Sequence, residues 1–527
     1  MTLLSPLLEL PRATVYTAAA PLALLCYAIG LVVYRLLLSP LARIPGSRIA
    51  AATGWYEFYF DVWLDGQYLF EIERMHRKYG PIIRINPVEI SIHDPDFYNE
   101  VYVTESKRRT SHYDQFCQGI DFDGAFLLTA DHDLHKKRRK PFEPFFSKRG
   151  IASLQPMLGE VALQLESRLE GLRGGGQVVT LDHVFSACTG DIIQRICLDD
   201  GDGDGGRGGR FLGETDFGAE WYNVVNSLLH NLHLFIGLPW LVRIVKLIPE
   251  PIMLWAFPRG RVFKIFTDNA RRNIRKAMSD TSSSSKNHPN NINTNTNTSL
   301  FHAIISSGMP PSELSEDRLT SEAQVMLGGG TVTPARTIGF ATYYVLSRPE
   351  IRRRLAEELK EVMAGWPDEV PAWSRLEQLP FLQSVIKEAL RLSYGIMHRL
   401  PRVFPDEPLQ YKQYTIPAGV PVGMSAYLMH SDPSVYPSPD QFIPERWLGD
   451  VDPAMHRSFV PFSRGSRNCL GMNLAMAEMS LILAVLFRPG GVQMRLFESD
   501  ESDVRNAHDF MLPLPKLSSK GLRVLIV

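Results

Sequence analysis

Cysteine is scarce in this chain: five in 527 residues, at Cys26, Cys117, Cys188, Cys197 and Cys469. They show no CxxC spacing and no dense, even framework, which argues against a disulfide scaffold and against a zinc site, and fits a reducing compartment. An excess of either charge is also lacking, with 56 lysines and arginines against 57 acids. That balance removes the electrostatic footprint of a nucleic-acid binder, so no nucleic-acid partner is expected and recognition must use local patches. There is no internal repeat. At 45% hydrophobic content the chain can bury a large core, and its length allows about three domains or one large enzyme body.

Charge is missing altogether from Ala13 to Tyr34 (ATVYTAAAPLALLCYAIGLVVY). About 22 apolar residues suffice to cross a bilayer as a helix. The run is too long for a cleaved signal's apolar core, and RLLLSPLARIPGS after it has no A-x-A-like site. Arg35, Arg43 and Arg48 follow the run while Arg12 alone precedes it, so the positive-inside bias leaves the body in the cytosol. Pro40, Pro45 and Gly46 read as a stiff hinge, dividing an anchor, 1–45, from a body, 46–527. Two polar segments, DDGDGDGGRGGR at 199–210 and SDTSSSSKNHPNNINTNTNTS at 279–299, read as flexible insertions. The Asn297 sequon lies in the second, on the expected cytosolic side, and is expected to be unused.

Helical periodicity dominates the body, in LTSEAQVMLGGG, RRRLAEELKEVMAG, FLQSVIKEALRL and GMNLAMAEMSLILAVLF. Short β-like pieces (PIIRINPVEISI, YTIPAG, GLRVLIV) lie between them, which predicts a mostly α fold with small β-sheets, an α+β body.

The last of those helices follows FVPFSRGSRNCLG, where Cys469 stands beside two glycines and two arginines. A helix starting directly after Cys469 would turn free N–H groups and a positive dipole end toward its sulfur, favouring a thiolate that can bind metal. Gly465 permits a turn that other residues resist, Gly471 lets a flat group approach the backbone, and Arg467 can pair with an anion. Taken alone, Cys469 is as well explained as an inert buried thiol.

The spacing F-S-R-G-S-R-N-C-L-G, Phe462 to Gly471, resembles the haem-thiolate loop of the cytochrome P450 family, and other motifs agree with it in order. EALR supplies Glu388 and Arg391 one helical turn apart, and FIPERW supplies Arg446, matching the family's Glu-Arg-Arg network, which we read as structural. Arg402 in HRLPRVFP matches an arginine that reaches a haem propionate. HDLHKKRRKPFEPFFSK resembles the helix whose aromatic-x-x-x-Arg pair contacts the propionates, with His135 and Arg139 in those positions. Its basic run, with Lys148 and Arg149, lies where the family docks an acidic flavin reductase.

The resemblance implies the P450 fold, haem b (iron protoporphyrin IX) with Cys469 as iron ligand and Phe462 and Arg467 beside it, and a single-pass endoplasmic reticulum membrane protein. It implies a monooxygenase taking electrons from NADPH-cytochrome P450 reductase and acting on an apolar small molecule. LGGGTVTPAR places Thr333 at the family's proton-steering threonine, but Val332 replaces the usual acid and Pro334 the second threonine. Pro334 has no N–H for the Gly330 carbonyl and its ring presses on it, so the groove is expected to open there, and a water on that carbonyl would stand in for the acid. The missing acid leaves two alternatives: a haem-thiolate isomerase or dehydratase, and a non-catalytic haem- or lipid-binding protein. SHYDQFCQGIDFDGAFLL and HDFMLPLPK correspond to pocket-lining regions of the family. The chain looks most like fungal secondary-metabolism members, including those similar to trichodiene oxygenase, with a terpenoid substrate expected first and a polyketide second.

Overall fold

The computed structural model describes residues 12–114, 122, 124–197, 211–258, 260–284 and 300–527. Cys117 and the 199–210 insertion lie outside them. Ser279–Ser284, expected as loop, instead extends the helix Gly260–Ser284. Elongation of an existing helix adds a hydrogen bond per residue without a new nucleus, which is how weak helix formers are carried along.

The body is organised around the helix Glu316–Ser347, whose faces are buried on nearly all sides. Glu316 and Asp317 occupy its first turn, where carboxylates offset the positive dipole end. It crosses the helix Leu181–Cys197 at very short range. A Cβ on Gly330 would lie 2.7 Å from Ile193 Cγ1, so only glycine permits this approach. Thr189 Oγ1 donates to the Thr331 carbonyl at 2.7 Å across the same crossing. Helices Pro349–Val362, Pro380–Ser393 and Met472–Phe487 complete the bundle, each covering one of the four segments whose periodicity predicts a helix.

The sheets are small. Ile82–Arg84, Ile90–Ile92, Pro421–Gly423, Arg402–Val403 and Ser111–His112 form five strands in that spatial order, antiparallel except for the pairing of Ile90 with Val422. Arg523–Ile526 joins Val178–Thr180 to Met494–Leu496, and His508–Phe510 forms a hairpin with Leu512–Leu514. The predicted β pieces around Ile82–Ile92, Tyr414–Ile416 and Arg523–Ile526 are strands. The α+β expectation therefore holds.

At the amino terminus the helix Arg12–Val33 continues as a π turn, Tyr34–Leu38. Its membrane-length stretch is Ala20–Leu38, with mean hydropathy 2.0 and no buried share. Beyond it Leu41 and Ile44 are buried, and Arg84 Nη1 donates to the Arg35 carbonyl at 2.7 Å, so the proline segment packs onto the first sheet.

Candidate active site

Cys469 sits in a loop whose shape follows from two residues with positive φ, Ser463 at 55° and Gly465 at 75°. A Cβ on Gly465 would lie 2.3 Å from the Val103 carbonyl oxygen, and the next residue, Ser466, donates its N–H to that same oxygen at 3.1 Å. The Cys469 N–H closes the loop on the Phe462 carbonyl at 2.9 Å. The helix begins at Met472 with Gly471 as its cap, not directly after Cys469. The sulfur is therefore served by the Gly471 N–H and by Arg139, both of which favour thiolate, while burial outweighs them and pushes the thiol up. A metal cation at the sulfur would reverse that balance.

The Cys469 side chain is surrounded by protein yet exposed, so it faces a space inside the fold. No atom lies within 4 Å of where a Cβ on Gly471 would stand. On the central helix, Gly329 is exposed although the helix is buried before and after it, and Gly328 and Gly329 likewise have no neighbour within 4 Å of a notional Cβ. Thr333 is in this stretch, its Oγ1 donating to the Gly329 carbonyl at 2.7 Å. The helix runs unbroken through Pro334.

Near the cysteine loop, Arg139, Arg402 and Arg467 are all buried, together with His112, His132 and His135. Arg467 donates to the Thr129 and Ala130 carbonyls at 2.7 and 2.8 Å, and Arg402 Nη1 meets His112 Nε2 at 3.4 Å. Arg139 is turned toward the cysteine loop, its two terminal nitrogens donating to the carbonyl and side chain of Asn468 at 2.6 and 2.9 Å. Burial, then Arg467, Arg139, Arg402 and His132, push the His135 imidazole down to about 2. Burial and the charges of Arg402 and Arg467 lower His112 in the same way. Both rings are thus neutral, and the guanidinium charge concentrated around them is of the kind that an anionic group stabilises.

Behind this region Glu388 accepts five hydrogen bonds at 2.8–2.9 Å: two from Arg391 and one each from Arg446, the Ile443 N–H and Trp447 Nε1. The expected Glu-Arg-Arg network is therefore present and buried. Sequence reasoning missed the residue that links it to the cysteine loop, His430. Its Nε2 accepts the Val460 N–H at 2.8 Å, so its Nδ1 carries the proton donated to the Arg391 carbonyl at 3.0 Å. Burial, reinforced by Arg391, pushes this imidazole down to about 3 and keeps it neutral. Trp447, His112 and His132 were missed as well, since no local pattern distinguishes them.

The Cytochrome P450 family model matches residues 52–517. The chain belongs to the cytochrome P450 family. It is 49% identical over 501 residues to "Cytochrome P450 monooxygenase oblB" of Aspergillus clavatus, covering 95% of each chain. It is 46% identical to "Fusicoccadiene C-8 hydroxylase" of Phomopsis amygdali, over 94% of this chain and 93% of that one. A third relative, "Stellatic acid synthase" of Emericella variicolor, is 43% identical over 95% of this chain and 93% of its own. P450 membership implies haem, and the residues fit it: an accessible cysteine with protein around it, a glycine that leaves the backbone open beside it, and buried guanidiniums suited to carboxylates.

Two surfaces bear on how molecules reach the interior. Trp240, Ile244, Leu247, Ile252 and Trp255 are exposed on consecutive helices, Pro239–Leu247 and Glu250–Ala256. Where Ile236, Gly237 and Leu238, just before these helices, face the anchor end of the body lies a cavity of about 400 Å³, lined also by Arg35, Glu57, Asp61, Glu89, His398 and Arg399. Part of the expected pocket-lining segment, 115–121, lies outside the described residues. In the other, Phe510 is buried against His230 and Leu512 is buried too.

Proposed function

We propose that this P450 adds one oxygen atom, by hydroxylation or epoxidation, to an apolar small molecule of fungal secondary metabolism, a terpenoid before a polyketide. One observation carries the reading: Cys469 is accessible in a protein-lined recess near a buried cluster of guanidinium groups. In it Cys469 ligates the iron of haem b, Arg402, Arg467, His135 and Arg139 surround its propionates, and Phe462 holds the loop through its carbonyl. When bound, the haem supplies the activation of dioxygen that the protein's side chains cannot supply. The contribution of the chain is placement. Gly465 and Ser463 set the position of the sulfur, and the Gly471 N–H donates to it and tempers its electron donation. The open surface at Gly328 and Gly329 leaves room for the substrate, and the Thr333 hydroxyl, which now donates to the Gly329 carbonyl, holds a proton there for delivery toward the reacting oxygen.

Electrons come, in this reading, from an NADPH-dependent reductase docking on Lys136, Lys137, Lys140, Lys148 and Arg149, which are exposed. Arg138 and Arg139 are turned to other partners, so the docking patch is smaller than the basic run. The Ala20–Leu38 stretch anchors the protein in the endoplasmic reticulum membrane, and the exposed Trp240, Leu247 and Trp255 rest in the same bilayer. The names of the relatives, a hydroxylase of a diene and an acid synthase, support oxidation of a hydrocarbon skeleton. The test incubates membranes carrying the protein with reductase, NADPH and terpenoid hydrocarbons, and seeks products heavier by one oxygen. Products of unchanged mass formed without NADPH would replace this reading with an isomerase.

A further inference from the structure

Away from the cysteine loop, a second concentration of chemistry borders the 400 Å³ cavity, whose lining includes His233 and His398. His233 comes from the short helix Leu232–Gly237, His398 from the connection after helix Pro380–Ser393, and Asp509 from the strand His508–Phe510. All three are buried, and one donor atom from each lies within 4.8 Å of the others. His398 Nδ1 is 2.8 Å from Asp509 Oδ2, and His233 Nε2 is 2.5 Å from the Asp509 carbonyl. Asp61, buried on the turn Tyr59–Trp63, places Oδ2 3.6 Å from His233 Nδ1, on the far side of that ring.

We propose that His233, His398 and Asp509 form a binding site for a divalent transition metal ion, with Asp61 orienting His233 from behind.

The donor set, two imidazoles and a carboxylate, is one that zinc and its neighbours accept, and a fourth position is open to water or to the Asp509 carbonyl. Ligand atoms at ~2.1 Å from a tetrahedral ion stand ~3.4 Å apart, so the present donors need to move by about 1 Å to close on one. At 3.6 Å Asp61 stands at ion-pair rather than hydrogen-bond distance from His233, and closing by about 0.7 Å would make it the outer-shell carboxylate that fixes the tautomer of a metal-bound histidine. Binding replaces the hydrogens that now lie between His398 and Asp509 and between His233 and the Asp509 carbonyl.

Charge points the same way. Glu57 and Glu89 both pair with Arg399, so one guanidinium serves two carboxylates. Asp61 and Asp509 are offset by the two imidazoles and, for Asp61, by the same Arg399, so four carboxylates share one guanidinium and two imidazoles. The four carboxylates thus outnumber the fixed positive charge beside them. A dication supplies that charge, and the cavity lined by Asp61, His233 and His398 gives it a route in. Once bound, it would tie the segment Leu232–Gly237, which leads into the exposed apolar helices, to the strand and the turn beneath it. The inference does not depend on the haem reading, because none of these residues belongs to the cysteine loop or to the guanidinium cluster.

The test uses untagged, full-length holoenzyme, treated with a chelator, incubated with zinc chloride and desalted, with zinc per haem measured by elemental mass spectrometry. One zinc per chain is expected. His233→Gln and Asp509→Asn should each reduce it at least tenfold at unchanged haem content, and Asp61→Asn should weaken binding by about 10- to 100-fold. Hydrogen exchange of the unmodified protein gives a second readout that needs no variant: zinc should slow exchange in residues 232–237. The proposal is overturned if the parent retains no zinc, if His233→Gln retains as much as the parent, or if exchange in 232–237 is the same with and without the ion.

Discussion

Glu388→Ala should be among the most destabilising single changes in the protein. The carboxylate is fully buried and accepts five hydrogen bonds, two of them from Arg391, which is itself fully buried. After the change Arg391 retains only the carbonyls of His430, Pro439 and Gln441, and its charge has no buried counter-ion in the network. Removing one partner of a buried pair costs about 3–5 kcal/mol, against a total stability on the order of 5–15 kcal/mol for a folded domain. Loss on that scale removes most of the margin. Because His430 joins Arg391 to Val460, the loss should also reach the cysteine loop and show as reduced haem retention. Urea unfolding followed by tryptophan fluorescence, with haem absorbance recorded alongside, measures both effects. Adding Arg391→Leu to Glu388→Ala should cost less than the sum of the two single changes, since the double change removes the fully buried Arg391–Glu388 pair together and leaves only Arg446 without its carboxylate. If Glu388→Ala unfolds within about 1 kcal/mol of the parent and keeps its haem, the network does not bear the load assigned to it.

Further outcomes are expected. Pro334→Thr restores a helical N–H and should lower product formed per NADPH consumed if a water on the Gly330 carbonyl replaces the missing acid; adding Val332→Glu should recover coupling, and unchanged coupling in Pro334→Thr would remove the water from the account. Deleting residues before Pro40 should shift much of the protein to the supernatant with its haem spectrum intact, and full membrane retention after a high-salt wash would count against a single anchor. Burial raises the Glu322 carboxyl from its ordinary 4.5 to about 7, so the folded state holds a proton that the unfolded state has lost across that window. Its contribution therefore falls as pH rises through the window, and Glu322→Gln should gain melting temperature relative to the parent from below pH 4.5 to above 7. A constant gap would mean that Glu322 does not titrate there.

The parts of the site legible in the sequence are those whose chemistry is local. The cysteine loop needs its glycines within a few residues of the sulfur, and Glu388 and Arg391 share one helical face, so spacing alone displays both. Arg446 was legible only through the family resemblance, since it reaches Glu388 across 58 residues. What could not be read are contacts made by the fold. Ser111–His112 pairs with Arg402–Val403, two residues on each side, far too short for a periodic signal. His430 and the His233, His398 and Asp509 group come from separate elements and carry no mark of their partners. The helix start at Met472 differs from expectation for a local reason: Cys469 and Leu470 complete the loop before Gly471 can cap the helix. The helical Ser279–Ser284 shows composition misleading in the opposite sense, because an established helix continues into residues that would not begin one.

The central claim is that Cys469 is the haem ligand. The most direct measurement is the carbon monoxide difference spectrum of the reduced protein, compared between the parent and Cys469→Ala at matched protein concentration. The account predicts the strongly red-shifted Soret band of a thiolate-ligated haem in the parent and its complete loss in the variant. The same band surviving in Cys469→Ala would contradict it.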